Sequence, residues 1–137
     1  MKIFNIMAWM TFVAASSTAF AGFDEGIEAY THGDFETALS TFRPLAEDGV
    51  SGAQYNLGLM YAYGQGVPQN YDEAIKWYRQ AAENGYRMAM HNMGDFYAAG
   101  KGVQQNYTEA AKWFRAAAEN GFVNSQHNLG ALYLHGK

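Results

Sequence analysis

Histidines and one aspartate in the second half of the chain have spacings at which side chains can act together. His91 and Asp95 are four residues apart, so on a helix they lie one turn apart on the same face and can pair. His127 follows His91 by 36 residues, and His135 follows His127 by eight. Three imidazoles on neighbouring helices give one hypothesis, a His-based metal-binding module, although no ligand-spacing motif accompanies them. The absence of cysteine excludes thiol chemistry and a disulfide framework.

Sequence motifs of hydrolases are missing. The chain contains no H-E-x-x-H, no S-x-x-K and no G-x-S-x-G. Beyond residue 21 the serines are Ser40, Ser51 and Ser125, and Ser125 stands where the repeats described below have alanine. We therefore expect Ser125 to be buried, and we expect no catalytic residue, no cofactor and no enzymatic activity.

The elements that carry these side chains are repeated. Residues 53–88 align with residues 89–124 at an offset of 36, with 21 identities in 36 pairs, and a partial third copy occupies residues 125–137. A fixed period of roughly 20–50 residues predicts a solenoid of stacked units.

Each unit has the pattern of a helix, a loop and a second helix. Leu57 and Met60 belong to an apolar series with helical spacing, and Gly64 ends that series. Asn70 is placed to cap a second helix, which we expect at residues 71–83. One such hairpin cannot bury both of its helices, but stacked hairpins cover one another.

A glycine recurs in the middle of each first helix, at Gly58, Gly94 and Gly130. A glycine there costs about 1 kcal/mol relative to alanine, so its recurrence predicts close approach of the second helix. We expect the tyrosines three residues later, such as Tyr61 and Tyr97, to fill the space beside it.

Two recurring motifs, A-x-x-N-[LM]-G-x-x-Y and G-x-G-V-x-Q-N-Y-x-E-A-x-K-W-[YF]-R-x-A-A-E-N-G, carry a family resemblance. Residues 53–137 resemble the Sel1-like repeat, a relative of the tetratricopeptide repeat. The resemblance implies an all-α, right-handed α-solenoid used for protein–protein contact, here with about seven helices after a signal peptide. Some cysteine-rich relatives are linked to β-lactam binding or hydrolysis, which makes a β-lactamase-like hydrolase an alternative. The missing S-x-x-K and the missing cysteines count against it.

Residues 22–50 resemble a shorter, degenerate tetratricopeptide-like hairpin, in which Pro44 is expected to kink or restart the second helix. This hairpin holds seven acidic residues and one basic residue, whereas residues 51–137 hold six and seven. Because phosphate binding needs a basic stripe, we expect no nucleic-acid partner. The acidic hairpin either caps the array as a soluble end or attracts a basic partner.

Residues 1–21 have the pattern of a secretory signal peptide. A short basic start and an apolar run precede the A-x-A site at residues 19–21, so cleavage is expected after Ala21. The apolar run is too short for a membrane span, which needs about 20 residues. We expect a single domain at residues 22–137 in a bacterial periplasm or outside the cell, with no membrane insertion after cleavage.

The first-helix positions that change between copies predict a binding surface. Three series lie along this face: Tyr55, His91 and His127; Leu59, Asp95 and Ala131; Tyr63, Ala99 and His135. An asparagine ladder runs beside it. The partner-binding residues predicted for a concave groove are Tyr55, Asn56, Leu59, Tyr63, His91, Asn92, Asp95, His127, Asn128 and His135.

The alternatives are a solvated face that varies without function, and asparagines that bond to the chain itself. The ligand expected for the groove is another protein or a peptide. The partial third copy adds one further expectation, self-association through an uncovered C-terminal helix.

Overall fold

The computed structural model of the protein describes the backbone of residues 4–134 and the side chains of residues 18–134. This part of the chain folds into seven helices and contains no β-strand, which confirms the all-α prediction. The helices are α1 (Phe4–Thr31), α2 (Phe35–Glu47), α3 (Ser51–Tyr63), α4 (Tyr71–Glu83), α5 (Arg87–Ala99), α6 (Tyr107–Glu119) and α7 (Val123–Leu134).

Local capping fixes the boundaries of the repeated helices. The Asn70 side chain accepts a hydrogen bond from the Glu73 amide at 3.1 Å, and Asn106 does the same at the start of α6. Gly64 and Gly100 end α3 and α5 in the left-handed conformation, with φ of 66° and 68°. The predicted caps are therefore confirmed.

The helices pack as a series, because extensive contacts join each helix to the next one in sequence. One buried cluster lies between α1, α2, α3 and α4 and includes Phe42, Leu57 and Trp77. A second cluster lies under α3 to α6 and includes Tyr78 and Met93. This serial burial is the α-solenoid arrangement, in which each hairpin covers the apolar side of its neighbour.

An aromatic ring from the second helix covers the glycine of the first helix. A β-carbon at Gly94 would lie 2.5 Å from two ring carbons of Phe114. Tyr78 covers Gly58 and Phe42 covers Gly26 in the same way. The predicted close approach is therefore confirmed, but the expectation that Tyr61 and its equivalents provide the filling group is wrong.

Those tyrosines have a different role. Each hydroxyl accepts a hydrogen bond from an arginine 18 residues earlier, on the preceding second helix. The pairs are Arg43 with Tyr61 at 3.3 Å, Arg79 with Tyr97 at 3.2 Å and Arg115 with Tyr133 at 2.5 Å. The three pairs link successive hairpins along the array.

The N-terminal hairpin joins the array through its own aromatic residues. Phe23 of α1 contacts Phe42 with 5.8 Å between ring centroids, and it also lies against Gly52 of α3. Helix α1 continues back through the predicted cleavage site after Ala21 to Phe4, and residues 1–3 of the predicted signal peptide lie outside the described part.

Helix α2 runs unbroken through Pro44, so the restart considered for that position does not occur. A proline at this point removes only one intrahelical hydrogen bond. Within the described residues no helix combines the length and the hydrophobicity of a membrane span.

Candidate functional site

An open groove of about 610 Å³ lies where α3 and α4 meet α5. Its floor is apolar and includes the buried residues Ala62 and Phe96. The polar and aromatic residues that line it are Tyr63, Gln69, Tyr71, Tyr78, Asn92, Asp95 and Lys101. We call this feature the groove. Its size and mixed lining suit a short peptide segment or a side-chain cluster of another protein.

Three of the predicted binding residues line the groove. Tyr63, at the end of α3, is 70 % exposed and forms an aromatic edge. Asp95 presents a half-exposed carboxylate from α5, and Asn92 lies one turn earlier on the same helix. The structure therefore brings one residue from each of two predicted series, and one member of the asparagine ladder, to a single surface.

Asn92 also organises the wall behind the groove. Burial raises the pKa of the Tyr78 and Tyr55 hydroxyls, and hydrogen bonds between these hydroxyls and Asn92 partly offset that effect. The two tyrosine rings lie 5.8 Å apart, so Asn92 joins α5 to a packed aromatic pair on α3 and α4. Its amide is a fixed part of the scaffold.

Asp95 belongs to a polar chain that joins α5 to α7. Its Oδ2 lies 3.3 Å from His91 Nε2, and Asn128 Nδ2 donates to its Oδ1 at 3.4 Å. His91 Nδ1 in turn lies 2.7 Å from Ser125 Oγ. Partial burial raises the pKa of the Asp95 carboxyl, while His91, Lys101 and Asn128 act in the opposite direction.

Ser125, His91 and Asp95 have the composition of a hydrolytic triad, but their surroundings do not suit that chemistry. Ser125 is 0 % exposed, so its hydroxyl cannot meet a substrate. The His91 ring packs against Phe114 and Phe122, with centroid distances of 5.4 and 4.8 Å. These three side chains therefore form a hydrogen-bonded link between α5 and α7. The predicted burial of Ser125 is confirmed.

The other predicted binding residues lie elsewhere on the array. Asn56 is buried and donates to the Gly52 carbonyl at 2.8 Å, the bond to its own chain that we named as the alternative. Tyr55 and Leu59 pack against the second core cluster. His127 is exposed on α7, and His135 lies outside the described residues.

A metal site finds no support in residues 18–134, where no three His, Cys, Asp or Glu side chains are grouped to share an ion. Within this range His91 is engaged by Ser125 and Asp95. His127 lies on the exposed side of α7.

Several groove residues were missed by the sequence reasoning because they belong to loops or second helices. Gln69 donates to the Ala62 carbonyl at 2.8 Å and to the Tyr71 hydroxyl at 3.2 Å. Gln105 and Tyr107 repeat this arrangement 36 residues later. The recurrence of a glutamine and a tyrosine at this spacing in both copies is the sequence pattern that could have indicated these two residues. Lys101 was harder to find, because glutamine occupies its position in the preceding copy.

The sequence profile of the Sel1 repeat matches residues 51–86, 87–122 and 123–137. This is the 36-residue period expected from the sequence, in a frame that begins two residues earlier and coincides with the starts of α3, α5 and α7. Such repeats form scaffolds typical of protein–protein interaction.

Two solved structures share the fold. A protective antigen of uropathogenic Escherichia coli with an SLR fold is 39 % identical, has a TM-score of 0.82, and matches over 94 % of this chain and 28 % of its own. A Sel1 repeat protein of Oxalobacter formigenes is 42 % identical, has a TM-score of 0.71, and matches over 74 % of this chain and 40 % of its own.

Among curated proteins, an exopolysaccharide production negative regulator of Rhizobium meliloti strain 1021 is 41 % identical over 58 residues, which are 42 % of this chain and 22 % of that protein. The chain thus spans less than half the length of each of these relatives. Three consecutive profile matches, a stack of helical hairpins and two similar solved structures agree: the chain belongs to the Sel1 repeat family.

Proposed function

We propose that this chain is a non-catalytic adaptor or regulator that binds a segment of another protein in the groove. The observation that carries the proposal is the groove itself, in which an exposed aromatic edge and a half-exposed carboxylate flank an apolar floor. Both polar and apolar contacts are available there, as in protein interfaces, where tyrosine is enriched.

The proposed mechanism is passive binding by a pre-organised surface. Among the described side chains, no buried nitrogen or oxygen atom lacks a hydrogen-bond partner. The polar groups behind the groove are therefore fixed before a ligand arrives, which reduces the entropy that binding must overcome. This arrangement favours recognition, and the one described serine that contacts a histidine, Ser125, is buried.

We propose the bacterial periplasm or exterior as the location, with cleavage after Ala21. The support is the signal-peptide pattern of residues 1–21. A regulatory role is supported by the matched Rhizobium protein, which is named as a negative regulator of exopolysaccharide production. The process regulated here is part of the proposal and not of the comparison, because the match covers 22 % of that protein.

A pull-down from bacterial envelope extract tests the proposal. We expect the mature protein to retain a partner that the Tyr63→Ala variant loses, because this change removes the aromatic edge. Lys76→Ala is the matched control, since Lys76 is an exposed residue of α4 outside the groove. Equal recovery by both variants would count against the groove as the binding site.

A hydrolase remains the rival function, and the Ser125, His91 and Asp95 chain is the place to test it. We expect no nitrocefin turnover by purified protein above the uncatalysed rate. Turnover that disappears in Ser125→Ala would refute the non-catalytic proposal.

We also propose α7 as a second contact surface through which the chain can self-associate. Tyr133 and Leu134 are 60 % and 87 % exposed, and a β-carbon at Gly130 would meet no atom within 4 Å among the described residues outside its own helix. Analytical ultracentrifugation should show a concentration-dependent dimer that Leu134→Lys weakens. A monomer at all concentrations would contradict this second proposal.

A further inference from the structure

The carboxylate of Asp95 is a special feature of the junction between the first two repeats. At the same register of the first helix, the neighbouring copies have Leu59 and Ala131. The stack itself therefore does not require an acid at this position. Asp95 nevertheless lines the groove with a half-exposed side chain.

Residues outside the groove lining orient the Asp95 carboxylate, and each of its oxygens can still accept a hydrogen bond from a ligand. His91 contacts Oδ2 at 3.3 Å and Asn128 contacts Oδ1 at 3.4 Å. A carboxylate offers about four lone-pair sites, so each oxygen retains one that can accept a further hydrogen bond. Because both oxygens are oriented in advance, a donor that approaches from the groove meets a fixed pair of acceptors.

In the part of the chain that the structure describes, no lysine or arginine forms an ion pair with this carboxylate, although Lys101 is close enough to lower its pKa. Among the ion pairs of residues 18–134, Asp95 pairs with His91 alone. Lys101 also lines the groove, but its ammonium lies over the Tyr71 ring at 6.0 Å from the centroid. Partial burial raises the pKa of Asp95 despite these neighbours, which indicates a carboxylate that has lost water without gaining a full counter-charge. A cation brought by a ligand would supply that charge.

We propose that the groove takes a partner segment carrying an arginine, whose guanidinium binds the Asp95 carboxylate and lies against the Tyr63 ring. This inference rests on the proposed function, since it assumes that the groove binds a protein segment. Arginine is preferred to lysine because its planar fork can donate two hydrogen bonds to one carboxylate and stack on an aromatic face. Tyr63, 70 % exposed on the groove edge, offers such a face.

The charge of the N-terminal hairpin supports a basic partner. Residues 22–50 contain seven acids and a single base, Arg43, which donates to the Tyr61 hydroxyl. A field of this sign attracts basic segments and speeds their encounter with the array.

The test uses three acetylated and amidated pentapeptides, Ala-Ala-Arg-Ala-Ala and its Lys and Gln counterparts, titrated into the protein and followed by amide chemical shifts in NMR. The arginine peptide should perturb the amides of Tyr63, Asp95 and Lys101. We expect the lysine peptide to bind several-fold more weakly and the glutamine peptide at least tenfold more weakly.

Two variants of the protein should change its affinity for the arginine peptide in opposite directions. Asp95→Asn should weaken the arginine peptide at least tenfold, whereas Lys101→Ala should tighten it, because a competing cation leaves the groove. Glu83→Gln is the matched control for loss of one negative charge, since Glu83 is exposed at the end of α4 and does not line the groove. Circular dichroism spectra verify that each variant is folded.

The outcomes separate this inference from the proposed function. Equal binding of the arginine and glutamine peptides to the groove would overturn the arginine preference and leave peptide binding intact. Unchanged affinity in Asp95→Asn would overturn the role of this carboxylate. Absence of groove shifts with every peptide would overturn both.

Discussion

The packing of an aromatic ring against a helix glycine can be tested by substituting two glycines that share a repeat position, one covered by a ring and one not. At Gly94 a new β-carbon would lie 2.5 Å from Phe114 ring carbons, whereas at Gly130 it would meet nothing within 4 Å on the other helices that the structure describes. Ordinary van der Waals contact begins at 3.4 Å, so Gly94→Ala requires the ring or the helix to move by about 1 Å. Phe114 is 2 % exposed and has little space into which to move.

The magnitude follows from two terms. Replacing a helix-interior glycine by alanine stabilises the helix by about 1 kcal/mol, and this term is shared by both positions. Overpacking of a filled core costs about 1–3 kcal/mol and applies to Gly94 alone. Gly130→Ala should therefore raise the free energy of unfolding by up to about 1 kcal/mol. The free energy of unfolding of Gly94→Ala should lie about 1–3 kcal/mol below that of Gly130→Ala, because the helix contribution common to both variants cancels in that difference.

Urea unfolding followed by far-UV circular dichroism and tryptophan fluorescence measures both variants. Agreement of the two signals is needed, because arrays of repeats can unfold in stages. Gly94→Val places two more methyl groups beside the ring than Gly94→Ala does and should lower the free energy of unfolding further. If Gly94→Ala proved as stable as Gly130→Ala, the ring-on-glycine packing described here would be refuted.

Three further changes test the capping, the buried serine and the groove carboxylate. Asn70→Ala removes the acceptor for the Glu73 amide and should lower the free energy of unfolding by about 1 kcal/mol; an unchanged urea midpoint would exclude a stabilising cap. Ser125→Ala leaves His91 Nδ1 without its partner at 2.7 Å and should cost about 0.5–1.5 kcal/mol in the same assay, whereas a gain in stability would show that the bond is not stabilising. Because its pKa is raised in the folded state, Asp95 binds a proton more readily there than in the unfolded chain, so acidification towards pH 3.8 should stabilise the wild type relative to Asp95→Asn. The opposite trend in unfolding measurements across this pH range would contradict the direction of the shift.

The fold could be predicted because its determinants are local and recur. Asn70 and Gly64 act within a few residues of their own position, and the 36-residue period reports the stacking directly. The glycine at position 58 predicted a close approach, but not which ring makes it. That identity depends on how α3 and α4 cross, and so Tyr78 rather than Tyr61 is the covering residue.

The candidate site could be predicted only in part. Variation along the first helices pointed to Tyr63 and Asp95, because these residues share the face that the groove uses. Lys101 was missed because it belongs to a loop whose path depends on packing. The bond between His91 and Ser125 spans 34 residues, and the sequence contains no local pattern that would indicate it.

The measurement that tests the account most directly locates a bound partner on the array. An aromatic photoreactive amino acid, which retains a ring at the groove edge, replaces Tyr63 in the groove or, as the matched control, Lys76 on the exposed side of α4, and each protein is irradiated in envelope extract. Binding through the groove predicts a covalent adduct to another protein from position 63 and none from position 76. Adducts from position 76 alone, or equally from both, would contradict binding through the groove.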